Sequence, residues 1–256
     1  MYPIFNIYNF IFNVHLLYLY IPFKKLLNMT KVSIIIPTLN EEESLKTLLN
    51  EINKNSENVR EIIIVDAQSS DKTIEISKSY NSKIIIQNNK SGYGDAIIKG
   101  INASNSEFSL VLDGDGSKNP IYINSLLSKI IKSKSDFVFA ERYGENAGSL
   151  DDTLLTYIGN RIFTWLGKIF FKIKINDILH TFFICKSSSF KKIKFNHLDF
   201  GFCVELPIEV ERLNFTYKSI ATTERKRIAG KVKVRSFVDG FKILKSMISI
   251  FFTRKR

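Results

Sequence analysis

The sequence predicts an α/β fold in which a mostly parallel sheet is flanked by helices. Short apolar runs of four to six residues alternate with amphipathic stretches through the first half of the chain. These runs are continuously apolar rather than alternating, as expected of strands buried on both faces. A cluster of polar residues follows several of them, and open α/β sheets bind ligands outside the carboxyl ends of their strands.

Residues 32–36 form the first expected strand, closed by Pro37. Residues 40–52 read as a helix because Glu41, Glu42 and Glu43 in the first turn complement its dipole. A second strand at 61–65 is followed by a polar turn and a helix over about 71–80. A strand at 83–86, a helix at 92–103 and a strand at 108–112 lead to Asp113-Gly114-Asp115. Parallel strands joined by right-handed crossovers bring residues 38–41, 66–71 and 113–117 to one rim. After a strand at 136–140 the regularity fades. Residues 152–171 read as a long amphipathic helix with Trp165, 181–185 as a strand, 203–213 as a helix and 216–222 as a strand. On a final helix at 236–252, Phe237, Phe241, Leu244, Ile248 and Phe251 share a face beside Lys242 and Lys245. That face suits either a bilayer surface or the protein's own core.

With 45% hydrophobic and 24% charged residues, the 256-residue chain has a globular balance and can build a sizeable core. Its net charge of +12 is uneven: residues 224–256 hold eleven Lys or Arg against two acids. Anionic lipid, nucleic acid, a phosphate-rich ligand or plain solvation would suit such a tail. No recognised nucleic-acid-binding motif accompanies the charge, which argues against a nucleic-acid partner. Cys185 and Cys203 form no CxxC or Cys/His cluster, so neither a disulfide framework nor a zinc site is indicated. Residues 1–29 form an apolar leader, uncharged from Tyr2 to Phe23 but interrupted by Asn and Pro. It reads either as sequence ahead of a true start at Met29 or as a weak membrane anchor. The expected organisation is therefore a leader at 1–29, a catalytic domain at 30–235 and a basic amphipathic helix at 236–256.

Asp113 and Asp115 emerge together at a strand end, and Gly114 between them permits a tight backbone and close ligand approach. Two hard oxygen ligands suit Mg²⁺ or Mn²⁺, which complete their coordination with water and phosphate.

Four ordered motifs carry a resemblance. They are Val32-Ser33-Ile34-Ile35-Ile36-Pro37-Thr38-Leu39-Asn40-Glu41-Glu42, the run from Ile64-Val65-Asp66 to Asp71-Lys72-Thr73, Gly92-Tyr93-Gly94-Asp95-Ala96, and Leu112-Asp113-Gly114-Asp115-Gly116. In that order they resemble family 2 glycosyltransferases. Ala140-Glu141-Arg142-Tyr143, residues 177–183 and 201–205, and Arg227 through Lys233 resemble the polyprenyl-phosphate (dolichyl-phosphate) mannosyl- and glucosyltransferase branch. The resemblance runs from about residue 31 to 245. It implies a GT-A type, Rossmann-like domain and an inverting reaction. It also implies that Pro37, Leu39, Glu41 and Asp66 frame the nucleoside, with Gly114 close to the donor. Asp113 would touch ribose or metal, and Asp115 would bind metal directly. Arg142, Arg227 and Lys233 would meet phosphates, and Asp177 would sit near the acceptor.

Several positions depart from the family pattern. Ala67 stands where a second acid is frequent, Tyr93 where a basic residue is frequent, and Thr181 where Gly is usual. Ser117 replaces a Gln of the mannosyl branch, and Val232 a Ser. His180 reads as a packed residue rather than a general base, because a phosphate acceptor is already anionic.

The expected activity is transfer of a hexose from a GDP-mannose or UDP-glucose type donor to a polyprenyl phosphate. The expected location is the cytoplasmic membrane face, held peripherally and with a membrane-anchoring partner as an option. A saccharide or other hydroxyl acceptor is the alternative within the enzyme class, and a non-catalytic basic binding or scaffold module the alternative outside it.

Overall fold

Ile34, Ile35 and Ile36 have no exposed surface, so the first strand is enclosed on both faces, as its unbroken apolar run predicts. The computed structural model describes residues 27, 29–55, 57–88, 91–230 and 236–253. Most of the leader, Lys233 and the last three residues therefore lie outside the described residues.

The strands are β1 (Val32–Thr38), β2 (Val59–Asp66), β3 (Lys83–Ile86), β4 (Phe108–Val111), β5 (Phe137–Glu141), β6 (Gly148–Ser149), β7 (Phe183–Lys186), β8 (Tyr217–Ala221) and β9 (Thr223–Glu224). The helices are α1 (Glu42–Asn55), α2 (Thr73–Ser79), α3 (Tyr93–Asn102), α4 (Ile123–Ser133), α5 (Leu154–Phe171), α6 (Ser187–Phe190), α7 (Phe202–Arg212) and α8 (Ser236–Thr253). Seven strands make one sheet in the order β3-β2-β1-β4-β7-β5-β8, and β6 pairs with β9 in a separate ribbon. All neighbours in the large sheet are parallel except β7, which runs antiparallel to both β4 and β5.

Each face of the sheet has its own core. Ile34, Ile36, Ile64 and Leu110 pack against Leu45, Leu48, Leu49 and Ile52 of α1 and Ile123, Leu126, Leu127 and Ile130 of α4. Both helices use i, i+3, i+4, i+7 spacing, which places these residues on one stripe. Ile35, Val65 and Val111 pack on the other face with Ala96, Ile97 and Ile101 of α3, and that core continues through α7 to Ile243, Met247 and Ile250 of α8. Cys185 and Cys203 are free and buried.

Helix α3 lies so close to the sheet at Gly100 that a Cβ there would come within 2.2 Å of Ile35 Cγ2. A Cβ at Gly159 on α5 would meet nothing within 4 Å. Gly100→Ala is expected to destabilise the fold by about 1–3 kcal/mol through overpacking. Gly159→Ala should stabilise it by about 0.5–1 kcal/mol through helix propensity alone. Urea unfolding of the two variants measures both signs.

Candidate active site

Parallel register sets the rim. Thr38 pairs with Asp66 across β1 and β2, and Ile35 pairs with Val111 across β1 and β4. The acidic loop after β4 thus emerges beside the end of β1. Asp66 is fully buried and accepts hydrogen bonds from Thr38 Oγ1 (2.8 Å), Ser69 N (2.7 Å) and Ser69 Oγ (2.6 Å). Its carboxylate ties the first two rim loops together. Ser44 Oγ lies 2.9 Å from Gly114 O and 3.2 Å from Glu41 Oε2, binding α1 to the acidic loop. A side chain at Gly114 would meet Glu41 Cγ at 2.9 Å and Pro37 O at 3.2 Å. Pro37 and Leu39 are half-buried on the same stretch. Pro37, Glu41, Asp66, Asp113 and Gly114, expected from sequence to share a site, are brought together.

The two acids have different partners. Asp113 Oδ1 accepts from Tyr93 OH at 2.6 Å and from Lys118 Nζ at 2.9 Å. Asp115 Oδ1 accepts from Ser117 N at 2.9 Å, and its Oδ2 lies 3.6 Å from Arg227 NH1. Burial and the neighbouring Asp113 charge push the Asp115 carboxyl above its ordinary range. A distant segment closes over this loop: Arg225 N donates to Ser117 O (3.1 Å) and Ile228 N to Asp115 O (2.9 Å). Arg225 Nε also donates to Gly116 O at 2.6 Å, and its guanidinium pairs with Glu51. Arg225 and Lys118 escaped the sequence reading. Arg225 stands two residues before Arg227, and Lys118 two residues past the acidic motif that ends at Gly116.

Arg142 and Asp177, expected separately at donor phosphate and acceptor, form one buried pair. Arg142 Nε and NH2 meet the two Asp177 oxygens at 2.7 and 3.0 Å, and NH1 donates to Glu224 at 3.1 Å. Asp152 stands 3.8 Å away, at the start of α5. Burial raises the Glu224 carboxyl despite the facing Arg142. Arg227 pairs with Asp151 as well as Asp115, which links this cluster to the acidic loop. His180 is buried with no partner at Nε2. Burial, aided by Arg142 and Lys118, holds it neutral, well below the usual histidine range.

Among the described residues no three His, Cys, Asp or Glu side chains come together as metal ligands. Asp113 and Asp115 nevertheless offer a hard oxygen pair whose mutual repulsion a cation would relieve. That donor set fits Mg²⁺ or Mn²⁺, which take their remaining ligands from water and phosphate.

This sheet order, with an acidic pair at the rim beside the first strand, defines a GT-A type domain. Residues 33–194 match the profile of glycosyl transferase family 2, and the chain belongs to that family. It is similar to a dolichol-phosphate mannosyltransferase of Pyrococcus furiosus, 28% identical over 77% of this chain and 59% of that protein. An uncharacterized glycosyltransferase of Mycobacterium bovis is 25% identical over 57% of this chain and 64% of its own length. The chain thus spans about three fifths of these relatives. Among solved structures, glucosyl-3-phosphoglycerate synthase from Mycobacterium tuberculosis, in complex with Mn²⁺, UDP and product, superposes with a TM-score of 0.68. The match covers 86% of this chain and 80% of that one at 15% identity, and it shows the shared fold.

A carboxyl raised by folding favours its neutral form in the folded state. Ionised Asp115 therefore costs stability above its folded pKa, and the cost disappears as acid protonates it. Asp115→Asn is expected to raise the metal-free melting temperature by a few degrees at pH 7, with the gain shrinking toward acid pH. Asp177→Ala removes the bidentate partner of a buried guanidinium, leaving it Glu224 and Asp152, and should destabilise by about 3 kcal/mol in urea titrations.

Proposed function

We propose that the chain transfers a hexose from a nucleoside-diphosphate sugar, of GDP-mannose or UDP-glucose type, to a polyprenyl (dolichyl) phosphate, inverting the anomeric centre at the cytoplasmic face of a membrane. The donor half of this reading rests on the rim. Pro37, Leu39 and Glu41 line the nucleoside side, with Asp66 fixing their loop from below. A divalent cation held by Asp113 and Asp115 would neutralise charge on the leaving diphosphate. Arg227 adds positive charge from the closing segment; for Lys233, outside the described residues, a phosphate contact rests on the family resemblance alone.

The observation that carries the acceptor half is an apolar face built by two helices. Leu154, Ile158, Ile162, Trp165 and Ile169 are exposed along α5 at helical spacing. Phe237, Phe241, Ile248 and Phe252 are exposed along α8. The helices meet where Phe251 packs edge-on against Phe170 and Phe171, with centroids 5.7 and 6.2 Å apart. Of the expected α8 face, Phe237, Phe241 and Ile248 are exposed whereas Leu244 and Phe251 are half-buried, and Ile243, Met247 and Ile250 seat the helix on the core. Exposed Arg161, Lys168, Lys242 and Lys245 accompany the aromatic residues. This combination suits shallow insertion into an anionic bilayer surface. No helix among the described residues is long and apolar enough to cross a membrane.

α5 begins at the Arg142–Asp177–Asp152 cluster, so a lipid lying along that face would bring its phosphate toward the rim. A phosphate acceptor is already anionic and needs alignment rather than proton removal, consistent with a neutral, enclosed His180. The raised Glu224 carboxyl favours a second reading, in which it deprotonates a saccharide or other hydroxyl acceptor.

Incubation with polyprenyl phosphate and radiolabelled GDP-mannose or UDP-glucose should place label in an organic-extractable, mild-acid-labile product. Label found only in water-soluble saccharide would overturn the lipid reading in favour of the hydroxyl one. The double variant Trp165→Ser, Phe241→Ser should lose at least about tenfold in binding to anionic vesicles, since each large side chain contributes roughly 1.5–3 kcal/mol when buried. Vesicle co-sedimentation measures the loss.

A further inference from the structure

Lys118 is a buried lysine, 2% exposed, and its environment explains two departures from the family pattern together. Its Nζ donates to Asp113 Oδ1 at 2.9 Å, Thr181 Oγ1 at 3.0 Å and Tyr93 OH at 3.2 Å. An ammonium has three protons, and all three are used. The single hydroxyl proton of Tyr93 goes to Asp113 Oδ1 at 2.6 Å. The Tyr93 oxygen therefore accepts from Thr181, 2.6 Å away, as well as from Lys118. Phe200 stacks on the Tyr93 ring at 5.5 Å and holds it in place. Tyr93 and Thr181, unusual when read singly, are two sides of one circuit around a buried cation.

The circuit commits Oδ1 of Asp113 to the protein and leaves Oδ2 without a hydrogen-bond partner among the described residues. It also offsets charge. Two carboxylates at the acidic loop face Lys118 on one side and Arg227, 3.6 Å from Asp115, on the other. A divalent ion approaching alone meets a loop whose negative charge is largely balanced. A nucleoside diphosphate brings further anionic oxygens and restores the excess.

We infer that Lys118 is a positioning residue that couples divalent-cation binding to the nucleotide: it holds Asp113 and suppresses cation binding until a diphosphate is present. The inference rests on the reading of Asp113 and Asp115 as cation ligands. It is independent of the sugar and the acceptor.

The test counts bound Mn²⁺ from the loss of the free-ion electron paramagnetic resonance signal, with and without UDP or GDP. For the native chain, diphosphate should tighten Mn²⁺ binding by at least about a hundredfold, the upper range of ordinary coupling between sites. Lys118→Gln should tighten Mn²⁺ binding to the nucleotide-free protein by about tenfold, as expected on removing a cation close to the ligand oxygens. Tyr93→Phe frees Oδ1 of one hydrogen bond without removing the cation, and should tighten it by about two- to threefold. General damage to the loop would weaken Mn²⁺ binding, so the sign separates coupling from a merely structural role. Unchanged or weaker Mn²⁺ binding in both variants, with native binding abolished by Asp115→Asn, overturns the role of Lys118 alone. Native Mn²⁺ binding that survives Asp115→Asn overturns the cation site, and this inference with it.

Discussion

Two carboxylates two residues apart, in a loop that folding partly withdraws from water, repel one another and lose hydration at once. Neighbouring positive charge is what makes such a loop tolerable, and much of the architecture on this side of the sheet supplies it. Lys118 reaches Asp113 from within the loop's own continuation. Arg227 approaches Asp115 from a segment more than a hundred residues away. That segment is held by backbone hydrogen bonds to Asp115 and Ser117, so the cations arrive on a fixed strand of chain rather than on wandering side chains. Burial, with the Asp113 charge adding to it, keeps the Asp115 carboxyl raised despite these cations, so a further cation there would favour its ionised form.

The donor half of the site was legible in the sequence because it is built locally, strand by strand. A buried parallel strand announces itself by a continuous apolar run, and the polar residues after it fall at the rim whatever the helices do. Glu41, Asp66 and Asp113 could therefore be grouped without knowing a single contact, while Pro37 joined them only through the family resemblance. Helix α4 shows a different kind of omission: Ile123, Leu126, Leu127 and Ile130 carry an ordinary helical period. That period lies in plain view between the acidic loop and the next strand, where the sequence reading placed no element. The antiparallel insertion of β7 between β4 and β5 left no local trace, since a four-residue apolar strand reads the same in either direction.

Pairings between charges were the least legible. Arg142 was assigned to phosphate and Asp177 to the acceptor, yet the two share a bidentate ion pair with Glu224 and Asp152 close by. Nothing in residue spacing foretells a contact across such separations in the chain. The pair does not dismiss either residue from the site. A buried guanidinium surrounded by three carboxylates is held rigidly, and on the proposed function rigidity is what a surface aligning a lipid phosphate would require.

The position of α5 gives that rigidity a purpose. Thr153 caps the helix through a reciprocal pair with Thr156, and Asp151 and Asp152, just before the cap, pair with Arg227 and Arg142. One short stretch therefore connects the acidic loop, the Arg142 cluster and the start of the exposed apolar stripe. On the proposed function, a bilayer pressing on α5 and α8 acts on the same element that sets the charged groups of the rim. Gly167 adds to this, since its missing side chain lets Ile173 and Ile178 approach α5 closely, and Ile178 adjoins Asp177. The helix that would meet lipid is thus packed directly onto the residues flanking the ion pair. On that proposal, membrane contact and alignment of an incoming lipid phosphate would become one mechanical problem, solved by one helix.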